Sequence, residues 1–246
     1  MTADVCALRQ IWQQAFGDTD EMLDAFFSTG FSEDRCHYLC ENGVPVSALY
    51  WFDCTLDGQK LAYLYAVATK EACRGKGLAR RLIAETHDRL RENGYAGAIL
   101  VPGTKELFGM YEKIGYRTAG TVREFSAQRG DSPAAFTQID AREYARLRRQ
   151  YLPVGGVVQE GAVLDFLQTQ CRFYRGEDFL LAAAKDGDML IAQELLGNEK
   201  AAPGILRSLD AAQGKFRTPG SGRPFFMFIP FTQNCPIPTY FGLALD

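Results

Sequence analysis

Val67-Ala-Thr-Lys-Glu-Ala-Cys73-Arg74-Gly75-Lys76-Gly77-Leu78-Ala79, residues 67–79, joins two hydrophobic periods within one short stretch. It begins in the apolar, aromatic-rich run 60–69 (KLAYLYAVAT), which has the composition of a strand. It ends in residues 77–92, where Leu78, Leu82, Ile83 and Leu90 recur at helical spacing and Arg80, Arg81, Glu85, Asp88, Arg89 and Arg91 cover the other side. A strand thus feeds through a glycine-rich turn directly into an amphipathic helix. The first amides of such a helix lack carbonyl partners, and the helix dipole puts partial positive charge there. Gly75 and Gly77 leave room for anionic oxygens to reach the backbone, and Arg74, Lys76 and Arg80 can add charge-assisted contacts. Taken alone, the stretch fits a phosphate cradle and also an ordinary glycine turn beside solvated cations.

Upstream, residues 4–16 and 20–30 read as two short helices, with Asp18 or Thr19 placed to cap the second. Strands are expected over 35–41 and 44–56, joined at Asn42-Gly43, with Asp57-Gly58 marking the turn into 60–69. Downstream, Asn93-Gly94 closes the helix, and a strand (95–101), a helix (104–114) and a strand (116–128) follow. This order predicts an α+β (α/β) architecture with helices on the faces of a sheet.

The polar, turn-rich segment Gln128-Arg-Gly-Asp-Ser-Pro133 is the best linker in the chain. Beyond it come helices over 140–150 and 160–172, strands over 178–185 and 188–196 around Asp186-Gly187, a helix over 202–212, and strands near 214–218, 224–231 and 239–245. The element order echoes the first half. Two divergent copies of one unit are therefore expected, as domains 1–130 and 131–246.

Arg74-x-x-Gly77-x-Ala79, placed after a strand valine and ahead of a helix, resembles motif A of the GNAT superfamily of acyl-CoA-dependent N-acetyltransferases. At the expected distance, Leu107-Phe-Gly-Met-Tyr111-Glu-Lys-Ile-Gly115-Tyr116 resembles the same family's Y-x-x-x-G-[FY] motif. The resemblance covers roughly residues 4–128. A Walker A loop does not fit, because no G-K-[ST] follows the glycines, and G-x-G-x-x-G fails after Gly77.

The resemblance implies a mixed, mostly antiparallel sheet flanked by helices, with acetyl-CoA as cofactor. It implies that backbone groups of Ala66, Val67, Ala68 and Thr69 pair with the pantetheine arm as an added strand would. Amides along Arg74, Gly75, Lys76, Gly77, Leu78, Ala79 and Arg80 would hold the pyrophosphate. A splayed strand near Ala66 and Val67 would present an amide to the thioester oxygen. The implied reaction is direct attack by a primary amine, with Tyr111 matching the tyrosine that protonates the departing thiolate. Leu107, Phe108, Tyr111 and Ile114 also form one apolar helical face, on which a tyrosine can simply pack. The chain departs from many family members at Val101-Pro-Gly103-Thr104, where they carry an asparagine that contacts the cofactor.

Residues 1–60 carry three Lys/Arg against ten Asp/Glu, whereas residues 70–91 carry seven against three. An acidic acceptor side facing a basic cofactor loop suits a cationic amine and an anionic CoA. Glu33, Asp34, Glu41 and Asp53 are the candidate bases by position, each read more readily as a solvated surface carboxylate. The second half lacks motif A. Its corresponding turn, Leu196-Gly197-Asn-Glu-Lys-Ala-Ala-Pro203-Gly204, predicts a copy without cofactor that caps the acceptor cleft or completes the sheet.

The chain of 246 residues has a net charge of −3 and a pI near 5.6, which argues against a phosphate-neutralising nucleic-acid binder. No apolar run approaches the roughly 20 residues of a membrane span, and residues 1–10 show no secretory signal. Seven scattered Cys without a C-x-x-C pair predict a reduced cytoplasmic protein. With only His37 and His87 present, a His-built metal site is not expected, and neither histidine is given a role. Two functional classes follow: an acetyl-CoA-dependent N-acetyltransferase, or a catalytically silent CoA-binding or protein-binding module on the same fold.

Overall fold

The structure, a computed structural model, describes residues 4–245. Helices α1 (Val5–Phe16) and α2 (Asp20–Ala25) open the chain, and α2 passes into a π-helical turn over Phe26–Gly30, shorter as a regular helix than expected. Strands β1 (Cys36–Glu41), β2 (Val44–Leu56) and β3 (Gln59–Thr69) form two successive hairpins. Both turns, Asn42-Gly43 and Asp57-Gly58, place both central residues at positive φ, which matches the right-handed strand twist. Helix α3 (Leu78–Glu92), β4 (Gly97–Leu100), α4 (Lys105–Glu112) and β5 (Arg117–Gln128) complete the first half.

After an irregular connection come β6 (Phe136–Ile139), α5 (Ala141–Tyr151), β7 (Val158–Gln159), α6 (Ala162–Gln170), β8 (Arg172–Gly176), β9 (Phe179–Asp186) and β10 (Met189–Gly197). Helix α7 (Ala202–Ser208), β11 (Gln213–Pro219) and β12 (Arg223–Pro230) follow. The twelve strands form one mixed sheet in the order β1-β2-β3-β4-β12-β5-β11-β10-β9-β8-β6, with β7 paired to β2. Only β3–β4 and β10–β11 run parallel; every other pairing between named strands is antiparallel. The unit hairpin, helix, parallel strand therefore occurs twice, as β2-β3-α3-β4 and as β9-β10-α7-β11.

The two stretches are interleaved. Strand β12, from the end of the chain, lies between β4 and β5, and the distal part of β5 pairs with β11. Strand β2 is buried on both faces. Leu49 and Trp51 face α3 and α4, while Tyr50, Phe52 and Cys54 face the opposite core, as the period of two requires. That opposite core is shared by α1, α2, α5 and α6. Phe26 meets Phe166 with ring centroids 5.3 Å apart, and Tyr63 meets Phe241 at 4.7 Å.

Three short strands, β6, β7 and β8, were not expected. The helix expected over 160–172 stops at Gln170, and the one expected over 202–212 stops at Ser208. The expected strand over 239–245 does not form. It is buried irregular chain with one bridge, between Gly156 and Tyr240. Side chains replace a ladder there: Gln159 Nε2 donates to Leu243 O at 2.6 Å, and Leu245 N donates to the Tyr63 hydroxyl at 3.1 Å.

At the β4–β12 contact, a Cβ on Gly97 would lie 2.6 Å from Phe228 Cε2 and 2.8 Å from Ile229 O. Overpacking of this kind costs about 1–3 kcal/mol. Gly97→Ala should therefore lower the urea midpoint while leaving the transition slope unchanged.

His87, given no role from the sequence, lies on the buried face of α3. It is buried, with Nε2 2.8 Å from the Tyr116 hydroxyl. Burial holds its imidazole down from the ordinary 6.5 to about 4. Between those values the unfolded chain binds a proton that the native state refuses, so stability falls as the pH drops through that window. The loss of stability on acidification should be smaller in His87→Gln, read from urea midpoints near neutral pH and near pH 4.5.

Candidate active site

Strand β3 pairs with β4 only over Leu61–Tyr63 against Gly97–Ile99, and beyond that point the two strands part. On its other edge β3 carries a bulge. Ala48 opposes Ala68 and Tyr50 opposes Tyr65, so the single residue Leu49 spans both Ala66 and Val67. Ala66 sits at φ +49, a region that residues with a Cβ rarely occupy. The bulge and the split together leave the β4-facing edge of residues 64–67 without a strand partner.

The split opens into a cavity of about 530 Å³. Leu64, Ala66 and Val67 of β3, Leu100, Val101 and Gly103 after β4, and Leu107 and Tyr111 of α4 line one part of it. Trp12, Phe16, Asp18, Met22, Tyr63 and Tyr65 line the rest, together with Gln170 and Leu245 from the second half. Tyr111 is 7% exposed, and its ring lies 5.8 Å from that of Tyr116. Burial pushes its hydroxyl up to about 12, so it keeps its proton at neutral pH.

Ala66, Val67 and Tyr111, expected to work together, thus share one cavity wall. Ala68 and Thr69 lie beyond it, buried, with the Thr69 hydroxyl 2.8 Å from Ser47 Oγ. Val101 and Gly103 stand where an asparagine was expected in the family pattern.

Arg74, Gly75, Lys76, Gly77, Leu78, Ala79 and Arg80 form the turn and first helical turn after a short 3₁₀ segment at Glu71–Cys73. Gly75 and Gly77 are at φ +78 and +76, and neither would meet anything within 4 Å if it carried a Cβ. The first bond of α3 runs from Arg81 N to Gly77 O, so the amides of Leu78, Ala79 and Arg80 have no partner inside the helix. Arg74 Nε donates to Thr69 O at 3.2 Å, tying the turn to the end of β3. Lys76 Nζ lies 3.5 Å from Glu41. The donor set and the open backbone fit a pyrophosphate.

In the second half the corresponding turn is already filled from within. Glu199 pairs with Arg123 and accepts from Thr218 Oγ1 at 3.1 Å. The helix that follows, α7, has seven residues with a proline in its first turn.

None of the four carboxylates proposed as a base lines the cavity. Glu33 and Asp34 sit on a 3₁₀ turn, Glu41 pairs with Lys76, and Asp53 accepts from the Tyr95 hydroxyl beside Arg35 and Lys60. The carboxylate that does line it is Asp18, which accepts from Trp12 Nε1 at 2.7 Å. Asp18 and Thr19 had been offered as alternative caps of the second helix. Thr19 is the cap, its hydroxyl accepting from Met22 N at 3.3 Å, and Asp18 is therefore free to face the cavity. Two adjacent capping residues before one helix were the available signal. Among the described residues, no group of His, Cys, Asp and Glu is placed to hold a metal, and no helix is long and apolar enough to cross a membrane.

Residues 2–119 match a family model described as an acetyltransferase (GNAT) domain. No curated protein sequence matches the chain. Among solved structures, a GCN5-related N-acetyltransferase from Kribbella flavida is similar at a TM-score of 0.69 and 17% identity, over 93% of this chain and 69% of that one. One from Anabaena variabilis gives 0.70 and 14%, over 93% and 70%. A putative acetyltransferase from Pyrococcus horikoshii gives 0.63 and 13%, over 98% and 90%. The chain carries the GNAT fold over nearly its whole length, and its residues 2–119 are similar to the acetyltransferase domain of that family.

Proposed function

We propose that the chain is an N-acetyltransferase that moves the acetyl group of acetyl-CoA to a primary amine by direct attack in a ternary complex. Residues 1–130 would be the catalytic unit, and 131–246 a related copy without a cofactor motif that helps to wall the acceptor side. The observation that carries this reading is the cavity where β3 leaves β4, bounded by the Ala66–Val67 bulge and by Tyr111. Acetyl-CoA, when bound, supplies a thioester whose carbonyl carbon the amine nitrogen attacks, forming the C–N bond as the C–S bond breaks.

The chain's own groups have clear tasks. The unpaired edge at Ala66 and Val67 offers strand-like hydrogen bonds to the pantetheine arm, with Ala68 and Thr69 continuing the strand beside it. An amide at the bulge is suited to stabilise the oxygen as charge develops on it. Amides from Arg74 to Arg80 offer donors to the pyrophosphate, with Arg74, Lys76 and Arg80 supplying charge. The Tyr111 hydroxyl, still protonated at neutral pH, donates to the departing thiolate, and the attacking nitrogen releases its proton to Asp18 or to solvent.

Acetyl-CoA bound only by the native state should stabilise the protein by about 2.7 kcal/mol at a hundredfold excess over Kd. The checking measurement is a melting curve with and without millimolar acetyl-CoA. Gly77→Glu should abolish the shift, because a side chain and a negative charge enter the cradle. Gly77→Ala, which carries the same backbone strain at φ +76, separates that strain from the charge. An unmoved melting temperature in the unaltered protein would remove the cofactor assignment.

A further inference from the structure

The part of the cavity away from Tyr111 is walled chiefly by aromatic rings. Its walls include four aromatic rings, Trp12, Phe16, Tyr63 and Tyr65. Trp12 packs on Tyr65 with ring centroids 5.3 Å apart and on Phe16 at 6.0 Å. Among the residues lining the cavity, Asp18 is the only one with a charged side chain. Its Oδ2 accepts from Trp12 Nε1, which leaves its other oxygen for a ligand. Gln170 adds a side-chain nitrogen that is buried without a partner, a donor that an acceptor atom on a ligand would satisfy.

From these features we infer that the acceptor is a monoamine with an aromatic or similarly apolar body, its ammonium held by Asp18 and its body stacked among the four rings. This rests on the N-acetyltransferase reading and narrows it. One carboxylate balances one ammonium. A polyamine would bring further charges into an aromatic cavity with no counter-charge, and removing an unpaired ion from water is strongly unfavourable. An amino sugar would bring a ring of hydroxyls to walls with few polar partners. An aryl body gains from area burial and ring stacking, and the adjacent ammonium gains from the ring faces. The acidic composition of residues 1–60 does not alter this. The carboxylates that produce it, Glu41 and Asp53 among them, are paired outside the cavity.

The test uses the full chain with saturating acetyl-CoA and three amines, namely phenethylamine, spermidine and glucosamine. In parallel, calorimetric titration of phenethylamine into the CoA-loaded chain reads binding without turnover. Phenethylamine should be the best substrate by kcat/KM, by about tenfold or more. Asp18→Asn keeps an oxygen to accept from Trp12 Nε1 and removes only the charge. It should weaken phenethylamine, in KM and in the calorimetric Kd, by about 10- to 100-fold. The acetyl-CoA melting shift should be untouched in this variant. Preference for spermidine or glucosamine, or an Asp18→Asn variant with unchanged phenethylamine Kd, would overturn the acceptor class while leaving the transferase reading intact. Asp18-dependent binding of phenethylamine without acetylation of any amine would do the reverse. It would uphold the ligand class and overturn the transferase reading.

Discussion

Tyr111→Phe lowers kcat by about 10² to 10⁴ wherever departure of the thiolate limits the rate, with little change in acetyl-CoA affinity. The substitution removes one hydroxyl and preserves the packing of the ring against Tyr116 and its cavity neighbours. The hydroxyl carries its proton at neutral pH, because burial pushes it up to about 12. Arg74→Ala and Lys76→Ala should behave in the opposite sense. Each removes charge from the turn that opens α3, so the acetyl-CoA Kd should rise while kcat at saturation survives. A steady-state comparison of the three variants on one good acceptor separates the two roles. If Tyr111→Phe retains full kcat, the tyrosine is only a packing residue and solvent protonates the thiolate.

Arg148→Leu destabilises the fold by about 3–5 kcal/mol, because it strands a carboxylate in the core. Arg148 and Glu194 are 1% and 0% exposed, with Nε to Oε2 at 2.7 Å and Nη2 to Oε1 at 2.9 Å. The hydroxyls of Tyr144 and Tyr240 donate to the same carboxylate at 2.8 and 3.0 Å, and Arg148 Nη1 donates to Val157 O at 2.9 Å. Glu194 holds the guanidinium well above its ordinary pKa against the opposing effect of burial. Arg148→Leu combined with Glu194→Leu should recover part of the loss, since paired removal leaves no buried charge. Urea midpoints of the single and double variants measure both numbers. The cluster also bears on the cavity. Tyr240 and, through Gln159, Leu243 O anchor the irregular segment that ends with Leu245 on the cavity wall. The single variant should therefore raise the amine KM more than the acetyl-CoA Kd.

What the sequence disclosed was what its local chemistry determines. Asn42-Gly43 and Asp57-Gly58 announced their hairpins, because two successive left-handed residues favour few side chains. The turn from Arg74 to Gly77 announced its helix, and Leu107–Tyr116 the return to the sheet, with Tyr111 placed on the cavity wall. What stayed hidden depends on distant partners. The run Phe225–Ile229 reads as a strand, but nothing in it says that it lies between β4 and β5, both far earlier in the sequence. Residues 239–245 carry a strand's apolar content, yet their backbone is held by the side chains of Gln159 and Tyr63 and by the loop at 155–157 instead of a neighbour strand. Among the acidic residues the charge count misled. Glu41 and Asp53 have cations for partners, while Asp18 was hidden behind a capping role that Thr19 fulfils.

The decisive measurement follows the acetyl group itself. The chain is incubated with acetyl-CoA isotopically labelled in its acetyl group and with a panel of arylalkyl amines, polyamines, amino sugars and amino acids, and the products are read by mass spectrometry. At least one amine should gain the label, with one free CoA thiol released per amide formed, and Gly77→Glu should remove both signals together. Binding of acetyl-CoA with no labelled amine anywhere in that panel would contradict the account, and would leave a CoA-binding GNAT fold without transfer.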